Sequence, residues 1–406
     1  LDVQITTSSG MYEAEAEVHT MLPWQVSAGI MNVPAGLPVL LQGKEQASYD
    51  WALTPPPGSG ASLMDASSQF PEFTPDVSGQ YGVQVTDLEA NETVSMVVYA
   101  GTWLGVIVGQ DADGRPVADS GCTGCHSGAV AADQFTPWAQ TGHAEIFKTT
   151  LNTNTHYGES CFACHTVGFD PEVDNGGIDE ASDYQAFLDS GLINSGDPTA
   201  YAQVLANFPE TAKHANIQCE NCHGPQDGEA HMRGVRGGIS SDTCATCHGE
   251  PLRHARFQQW QLSGHANYEL AEDESRSGNC SRCHTGNGFL AWLPVLLDDD
   301  PSTSPEDSVT VTWTVDEAHP QTCATCHDPH NNDLGDFLRE APHGGLCFTC
   351  HLKTLPDDSM GRHHIPRRDD PWFSGQCTIC HGENLDGVGG TGPACTKCHD
   401  PFNFPN

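Results

Sequence analysis

The sequence has few basic residues: 16 Lys and Arg stand against 54 Asp and Glu among 406 residues, which gives a formal net charge of −38. A chain this acidic repels phosphate groups, so we expect neither nucleic-acid binding nor adhesion to an anionic membrane. Long apolar runs are also lacking. The longest weakly polar stretches, residues 96–109 and 288–297, are shorter than the roughly 18 residues that a membrane-spanning helix needs, so no such span is expected.

A leader segment is missing as well. The sequence begins at Leu1 without an initiator Met and without a charged-then-apolar stretch. We therefore expect any export signal to have been removed already.

No cysteine lies outside a C-x-x-C-H motif. Nine such motifs, numbered 1 to 9 in chain order, account for all 18 cysteines, and residues 1–121 have none. The cysteine pairs are Cys122 and Cys125, Cys161 and Cys164, Cys219 and Cys222, Cys244 and Cys247, Cys280 and Cys283, Cys323 and Cys326, Cys347 and Cys350, Cys377 and Cys380, and Cys395 and Cys398. The histidines that close the motifs are His126, His165, His223, His248, His284, His327, His351, His381 and His399.

This spacing has a specific chemical use. Two thiols separated by two residues reach the two vinyl groups of one porphyrin and form thioethers, and the adjacent imidazole binds the iron as its proximal ligand. Zinc sites do not repeat an immediate Cys-His nine times, and a disulfide framework has no need for the histidine. The sequence therefore predicts nine c-type haems.

Twelve histidines remain, three more than nine irons need as sixth ligands. Four of them precede a motif closely: His156, His214, His319 and His343. Two follow a motif, His231 and His330, and two share a Trp-x-x-[Ser/Thr]-Gly-His context, His143 and His265. His254, His363 and His364 are further candidates. We predict bis-histidine ligation at most or all irons, with a solvated or core histidine as the alternative at each position. Such ligation closes the iron to substrate, so we expect an electron-transfer protein without catalytic residues.

The haem region contains an internal repeat. Four residues of the first module recur at a constant offset of 122: Cys122, His126, Trp138 and His143 match Cys244, His248, Trp260 and His265. The match continues at offsets other than 122: motif 2 aligns with motif 5, and motif 3 aligns with motif 6. The repeat predicts modules at residues 122–243 and 244–346 and a degenerate third module at residues 347–406.

At these residues the chain resembles the tetrahaem cytochrome c family that accepts electrons from hydroxylamine oxidoreductase, and more loosely the related octahaem enzymes. The shared elements are C-x-x-C-H, W-x-x-[ST]-G-H-A, C-x-x-C-H-T-x-G-F and Q-C-E-N-C-H-G-P. Residues 323–351 resemble the doubled C-x-x-C-H motif of other multihaem cytochromes. The resemblance implies closely stacked haems, and it implies export, because c-type haems are attached outside the cytoplasm. We expect an extracellular or cell-surface protein rather than a periplasmic one.

The haem region otherwise is predicted to be loop-rich and mostly helical or irregular. An insertion relative to that family, residues 170–213, has helical spacing at residues 184–188 and 201–208, with Asp197 placed to cap the second helix. A strand is predicted at residues 309–315. The acidic runs at residues 174–183 and 298–300 are interpreted as solvated loops, with calcium binding as the alternative.

Residues 1–104 are predicted to form a separate all-β domain. Alternating segments occur at residues 3–7, 39–41, 49–53, 81–85 and 94–99. Trp51 and the pattern around Asp76, Gly79 and Tyr81 resemble the core tryptophan and tyrosine corner of immunoglobulin-like and PKD-like sandwiches. We interpret this region as a docking domain, joined by a linker at residues 105–121 to the haem domain at residues 122–406.

His19 is the one histidine of the β domain. It is either an ordinary surface residue or a ligand to a haem of an adjacent subunit, as in the filament-forming extracellular cytochromes that the chain resembles in this respect. The leading functional hypothesis is an electron conduit for extracellular respiration, with a head-to-tail filament as its most specific form. Its partners would be other copies of the chain, redox-protein donors, and acceptors such as metal oxides or other cells. The alternatives are a multihaem reductase or oxidase of small nitrogen or sulfur compounds, and a soluble periplasmic shuttle.

Overall fold

The computed structural model describes residues 2–7, 10–15, 32–43, 48–227, 231, 238–249, 256–297, 309–335, 337–339, 346 and 350. Strands occupy the first part of this range. They are β1 (Asp2–Thr7), β2 (Gly10–Glu15), β3 (Asn32–Pro34), β4 (Val39–Leu40), β5 (Tyr49–Thr54), β6 (Glu72–Phe73), β7 (Gly79–Asp87), β8 (Glu92–Gly101), β9 (Ile107–Gln110) and β10 (Pro116–Ala118). Each of the five segments predicted as strands overlaps one of these, so the prediction of an N-terminal β region is confirmed.

The main sheet has four strands in the order β3-β8-β7-β5. β3 runs parallel to β8, whereas the other neighbours are antiparallel. Strands β4 and β6 form a separate antiparallel pair, and β1 pairs with β2. Side chains from the main sheet and from the β4–β6 pair meet in one buried cluster.

Tyr81 lies at the centre of this cluster and is fully buried. Its hydroxyl donates to the carbonyl oxygen of Val77 at 2.9 Å, and its ring centre lies 5.5 Å from that of Phe73 on β6. The bond to a backbone oxygen a few residues upstream is the one that a tyrosine corner makes. Trp51, also buried, donates its indole N–H to the carbonyl oxygen of Ser68. Membership of the immunoglobulin-like family stays a prediction.

The segment predicted as a linker contains the β9–β10 hairpin. Ile107 and Ala118 are buried, and Ile107 belongs to a cluster with Trp138 and Ala144 of the haem region. The backbone N–H groups of residues 104–106 also donate to the side chains of Glu220, inside motif 3, and Gln218, just before it. This segment is therefore packed against the haem region.

Short helices follow the β region, as predicted. They are α1 (Ser120–Thr123), α2 (Phe135–Trp138), α3 (Ile146–Thr153), α4 (Phe162–His165), α5 (Tyr184–Asp189), α6 (Ala200–Asn207), α7 (Pro209–Lys213), α8 (Cys219–His223), α9 (Asp242–His248), α10 (Arg256–Gln261), α11 (Tyr268–Glu274), α12 (Gly278–His284), α13 (Gly286–Leu297) and α14 (Cys323–Cys326). Across the described ranges, no helix is both long enough and apolar enough to cross a membrane.

The two helices predicted in the insertion are α5 and α6. They bury Phe187, Tyr201 and Val204 in a cluster that also contains Phe147 and Phe162. Thr199, rather than Asp197, is the N-cap residue of α6, and the carboxylate of Asp197 accepts the backbone N–H of Thr199 at 2.8 Å.

The strand predicted at residues 309–315 is wrong. Val309 donates its N–H to the carbonyl oxygen of Gly278, and Val315–Glu317 is a 3-10 turn. The alternating valines imitate a strand pattern, but no second strand of the described part pairs with this segment. Without a partner the alternation cannot produce a ladder.

Candidate haem sites

The attachment motifs lie on or beside short helices. Helices α8, α9, α12 and α14 each contain both cysteines of one motif. In a helix, residues at i, i+3 and i+4 share one face, and these are the positions of Cys, Cys and His in C-x-x-C-H. The helical conformation therefore presents both thiols on one face, and α8, α9 and α12 also include the imidazole of their motif.

Three pairs of histidine rings lie opposite each other with nearly the same distance between their ring centres. In each pair, one histidine closes a motif and the other is a predicted sixth ligand. The ring centres are 6.1 Å apart for His126 and His231, 6.2 Å for His248 and His143, and 6.0 Å for His223 and His330. Two imidazoles on opposite sides of one metal, with metal–nitrogen bonds of about 2 Å, have ring centres about 6 Å apart. The residues present thus fit an iron held between two histidines.

Burial keeps several candidate ligands neutral. Burial and the neighbouring His248 lower the pKa of His143 to about 4. Burial likewise lowers the pKa of His214 and of His319. A neutral imidazole has the free lone pair that a metal requires, so burial favours the form that binds iron.

His214 is oriented as a metal ligand. Its Nδ1 lies 3.2 Å from the carbonyl oxygen of Glu210, and its buried Nε2 makes no hydrogen bond of ordinary geometry among the described residues. A carbonyl that accepts from Nδ1–H fixes the tautomer with the lone pair on Nε2. His214 therefore has the tautomer that a metal ligand at Nε2 requires.

Thiols of different motifs adjoin one another. The Cys247 Sγ lies 3.9 Å from the carbonyl oxygen of Cys164, and hydrogen bonding between these two thiols lowers the pKa of Cys164 to about 7. The thiols of Cys244 and Cys323 interact in the same way, which raises the pKa of Cys244 well above its ordinary value. Motif 4 therefore adjoins motif 2 through one cysteine and motif 6 through the other.

Two further neighbours extend this set. Burial raises the pKa of Cys219, and the charges of Glu220 and Cys122 raise it further, so the first cysteine of motif 1 lies near the first cysteine of motif 3. The Sγ of Cys350 lies 4.0 Å from the carbonyl oxygen of Arg282, inside motif 5. Since haem-bound sulfurs are thioethers and do not titrate, the proximity of the attachment points is what carries over to the haem-bound chain.

A cavity of 370 Å³ lies beside the thiols of motifs 3 and 4. Cys222 and Cys247 line it on one side, and Val33, Val39 and Trp103 line it from the β region and the segment that follows. Burial raises the pKa of the Cys222 thiol to about 11. The β region thus contributes a wall of the space next to two attachment motifs.

The internal repeat has matching hydrogen bonds. The indole N–H of Trp138 donates to the carbonyl oxygen of Ile217 at 3.1 Å, and that of Trp260 donates to Gln321 at 2.6 Å. Each of these carbonyls lies two residues before the third motif of its module. The two tryptophans therefore occupy equivalent positions.

A second pair of equivalent bonds joins the middle of each module to its third motif. Val167, just after motif 2, donates its N–H to the carbonyl oxygen of His214 at 2.9 Å. Gly286, just after motif 5, donates to the carbonyl oxygen of His319 at 2.9 Å. His214 and His319 are therefore structural counterparts.

Other predicted ligands have different surroundings. His156 is exposed, and its backbone N–H donates to the Asn154 side chain. His265 lies in the short 3-10 helix Gly264–Ala266. The proximal residue His165 stacks on Tyr157, with ring centres 5.6 Å apart, and the remaining proximal residues in the described part are His284 and His327. The site residues outside the described ranges are His19, His254, His343, Cys347, His351, His363, His364, Cys377, Cys380, His381, Cys395, Cys398 and His399.

No group of three or more His, Cys, Asp or Glu residues in the described ranges is placed to hold a metal ion by itself. In the acidic run at residues 174–183, the Asp183 carboxylate instead accepts the backbone N–H groups of Glu210 and Thr211. Residues 298–300 lie outside the described part.

Sequence reasoning missed the polar residues that fix motif 3. Glu220, 2% exposed, accepts the backbone N–H groups of Leu104, Gly105 and Gln226 at 2.8–3.1 Å. Gln218 accepts the N–H of Val106 at 2.9 Å. The available signal was the acidic residue between the cysteines of Q-C-E-N-C-H, which looks ordinary in so acidic a chain.

Comparison with known proteins adds two matches. The doubled CXXCH motif family matches residues 317–355, which confirms the resemblance predicted around motifs 6 and 7. The chain is also 27% identical over 158 residues to the multiheme cytochrome MtrA of Shewanella baltica (strain OS185), covering 34% of this chain and 43% of that protein. The chain thus spans less than half the length of this curated relative. The motifs and both matches support a multihaem c-type cytochrome.

Proposed function

We propose that this cytochrome carries electrons along a series of nine c-type haems, one at each motif. The observation that carries the proposal is the contact between thiols of different motifs, in which motif 4 adjoins motifs 2 and 6. Each thiol attaches the edge of its own porphyrin, so adjoining thiols bring the edges of successive haems together. An electron then has a short route from one haem to the next.

The facing histidine rings support a specific ligation. The haem of motif 1 has His126 and His231, that of motif 3 has His223 and His330, and that of motif 4 has His248 and His143. The repeat extends this assignment, since His265 is the counterpart of His143 and is the proposed sixth ligand for motif 7. His214 and His319 are counterparts of each other, and His156, His254, His343, His363 and His364 complete the candidates.

A haem iron with two histidines has no open position for substrate. The chain is therefore proposed to be an electron-transfer protein rather than an enzyme. It is further proposed to be exported and to act outside the cell or at its surface, with redox proteins as donors and metal oxides or other cells as acceptors.

The β region is proposed to dock the chain to another copy of itself in a head-to-tail filament, with His19 as a ligand to a haem of the next subunit. A heterologous contact that does not close generates such a filament. Electron microscopy of native material tests this. Filaments that are lost in His19→Ala and kept in the wild type support the role of His19, whereas a monodisperse monomer at high concentration contradicts the filament.

The electron-transfer proposal predicts that the oxidised protein has only low-spin haems. Each iron holds two imidazoles, so addition of nitrite or hydroxylamine should leave the electron paramagnetic resonance spectrum unchanged. Mass spectrometry of the same sample should give nine haems per chain. One high-spin haem that binds either compound would instead favour a reductase or oxidase.

A further inference from the structure

Asp328 lies between two predicted haem ligands in the sequence C-H-D-P-H. His327 closes motif 6, and His330 faces His223 of motif 3. One carboxylate oxygen of Asp328, Oδ1, lies 3.3 Å from the Nδ1 of His330 and also accepts the backbone N–H of His330 at 3.1 Å. The carboxylate therefore holds both the backbone and the ring of this histidine.

Arg339 holds the other side of the same carboxylate. Its Nη1 lies 3.3 Å from Asp328 Oδ2, and its Nε donates to the carbonyl oxygen of Ala324 at 2.7 Å. The backbone of Arg339 is fixed as well, because its N–H donates to the carbonyl oxygen of Cys326 at 3.0 Å. The guanidinium, the carboxylate and the imidazole thus form one connected row that begins at motif 6 and ends at the ring facing motif 3.

The chemistry of such a row is defined by where the proton lies. An acceptor at Nδ1 keeps the proton on that nitrogen and leaves the lone pair on Nε2 for the metal. A carboxylate does this more strongly than a neutral acceptor, and the negative charge that it adds to the imidazole makes the ring a better electron donor. Oxidised iron is then stabilised relative to reduced iron.

We propose that Asp328, held by Arg339, is a positioning residue that orients His330 and lowers the reduction potential of the haem at motif 3. This rests on the proposed function, in that His223 and His330 must bind the same iron. The near-parallel rings of this pair, 8° apart, contrast with the 86° of His126 and His231. Since ring orientation shapes the resonance of low-spin iron, the haem of motif 3 should have a signal distinct from that of motif 1.

The test is a redox titration of the full haem-bound protein, monitored by electron paramagnetic resonance, in two variants. Asp328→Asn keeps the shape but removes the charge, so the oxidised-to-reduced ratio of one haem should fall about tenfold at fixed potential, an upward shift of about 59 mV for a one-electron couple. Arg339→Gln removes the cation and leaves the carboxylate to interact more strongly with His330, so the same haem should shift downward.

Opposite shifts are the signature of the proposed row, because a merely structural role would disturb ligation in the same way in both variants. The matched control is Asp333→Asn, which removes the same charge from an exposed side chain of the same loop that bonds to Asn331. This control should leave the titration unchanged.

His330→Ala distinguishes the proposed ligation of motif 3 from the proposed role of Asp328. It should convert one low-spin haem to high spin and thereby assign the signal of motif 3. If it converts none, the proposed ligation fails. If it converts one while Asp328→Asn shifts nothing, or shifts it in the same direction as Arg339→Gln, the ligation stands and the role of Asp328 is overturned.

Discussion

Replacing Cys244 and Cys247 together by alanine is expected to lower electron conduction through the protein by orders of magnitude. Motif 4 adjoins motif 2 through Cys247 and motif 6 through Cys244, so on the proposed function its haem would lie between theirs. Removing the haem of motif 4 leaves a longer distance between the haems of motifs 2 and 6, which the electron must cross through protein alone. The measurement is the conductance of a film of the purified protein between two electrodes, compared with the wild type.

The matched control removes a haem at a different place. Cys122→Ala with Cys125→Ala deletes motif 1, whose one described neighbour among the attachment points is motif 3. It should reduce conduction less, because motifs 2, 4 and 6 keep their haems. Mass spectrometry must show the loss of one haem in each variant; where more are lost, His248→Met tests the same step while keeping the haem attached. Wild-type conduction in a chain that lacks only the haem of motif 4 would contradict the proposed route.

Glu220→Ala is expected to destabilise the folded chain by about 3–5 kcal/mol. The carboxylate of Glu220 accepts three backbone N–H groups, two of them from Leu104 and Gly105 in the segment that follows the β region. Each buried donor left without a partner costs about 1–3 kcal/mol. The midpoint of chemical denaturation of the haem-bound protein measures the total, and hydrogen exchange at Leu104 and Gly105 shows whether the loss is local.

Two companion variants sharpen this test. Glu220→Gln keeps one oxygen for Leu104 and Gly105 and should lose less stability. Glu210→Ala removes an exposed carboxylate paired with Lys213 at 2.6 Å and should change stability by no more than about 0.5 kcal/mol. Equal losses in Glu210→Ala and Glu220→Ala would show that the buried bonds contribute nothing specific.

The same residue gives a pH dependence of definite sign. Burial raises the pKa of Glu220, so the folded chain binds this proton more readily than the unfolded chain does. The stability gained by binding this proton is therefore fully present below the unfolded pKa and is lost as the pH rises through the folded pKa, whereas the hydrogen bonds that the carboxyl group accepts are a separate contribution. Removing the carboxyl should remove this part of the pH dependence.

The haem chemistry could be predicted from sequence because it is local. Both thiols and the proximal imidazole of C-x-x-C-H lie within five residues, so no contact with a distant part of the chain is needed to bring them together. The partner of each distal histidine could not be predicted. His143 lies between motifs 1 and 2 in the sequence, yet its ring lies opposite His248 of motif 4, and only the folded chain brings these two together.

The strand prediction at residues 309–315 failed for a related reason. Alternation describes one segment, whereas a strand requires a neighbour, and none of the described part pairs with it. Asp328 was visible in C-H-D-P-H, but its significance depends on His330 facing His223. The β strands were predicted better, since turns and short alternating runs mark them directly.

The C-H-D-P-H segment also bears on the order in which the protein matures. On the proposed ligation and the proposed export, His143 precedes motif 4 and is already outside when that motif is exported, so its haem can become six-coordinate on attachment. His330 follows His223 by 107 residues, so the haem of motif 3 acquires its sixth ligand only after motif 6 has been exported. Haems would then be attached in chain order from the N-terminus, whereas the irons would not gain their sixth ligands in that order. Until residues 328–330 arrive, the haem of motif 3 would have an open sixth position.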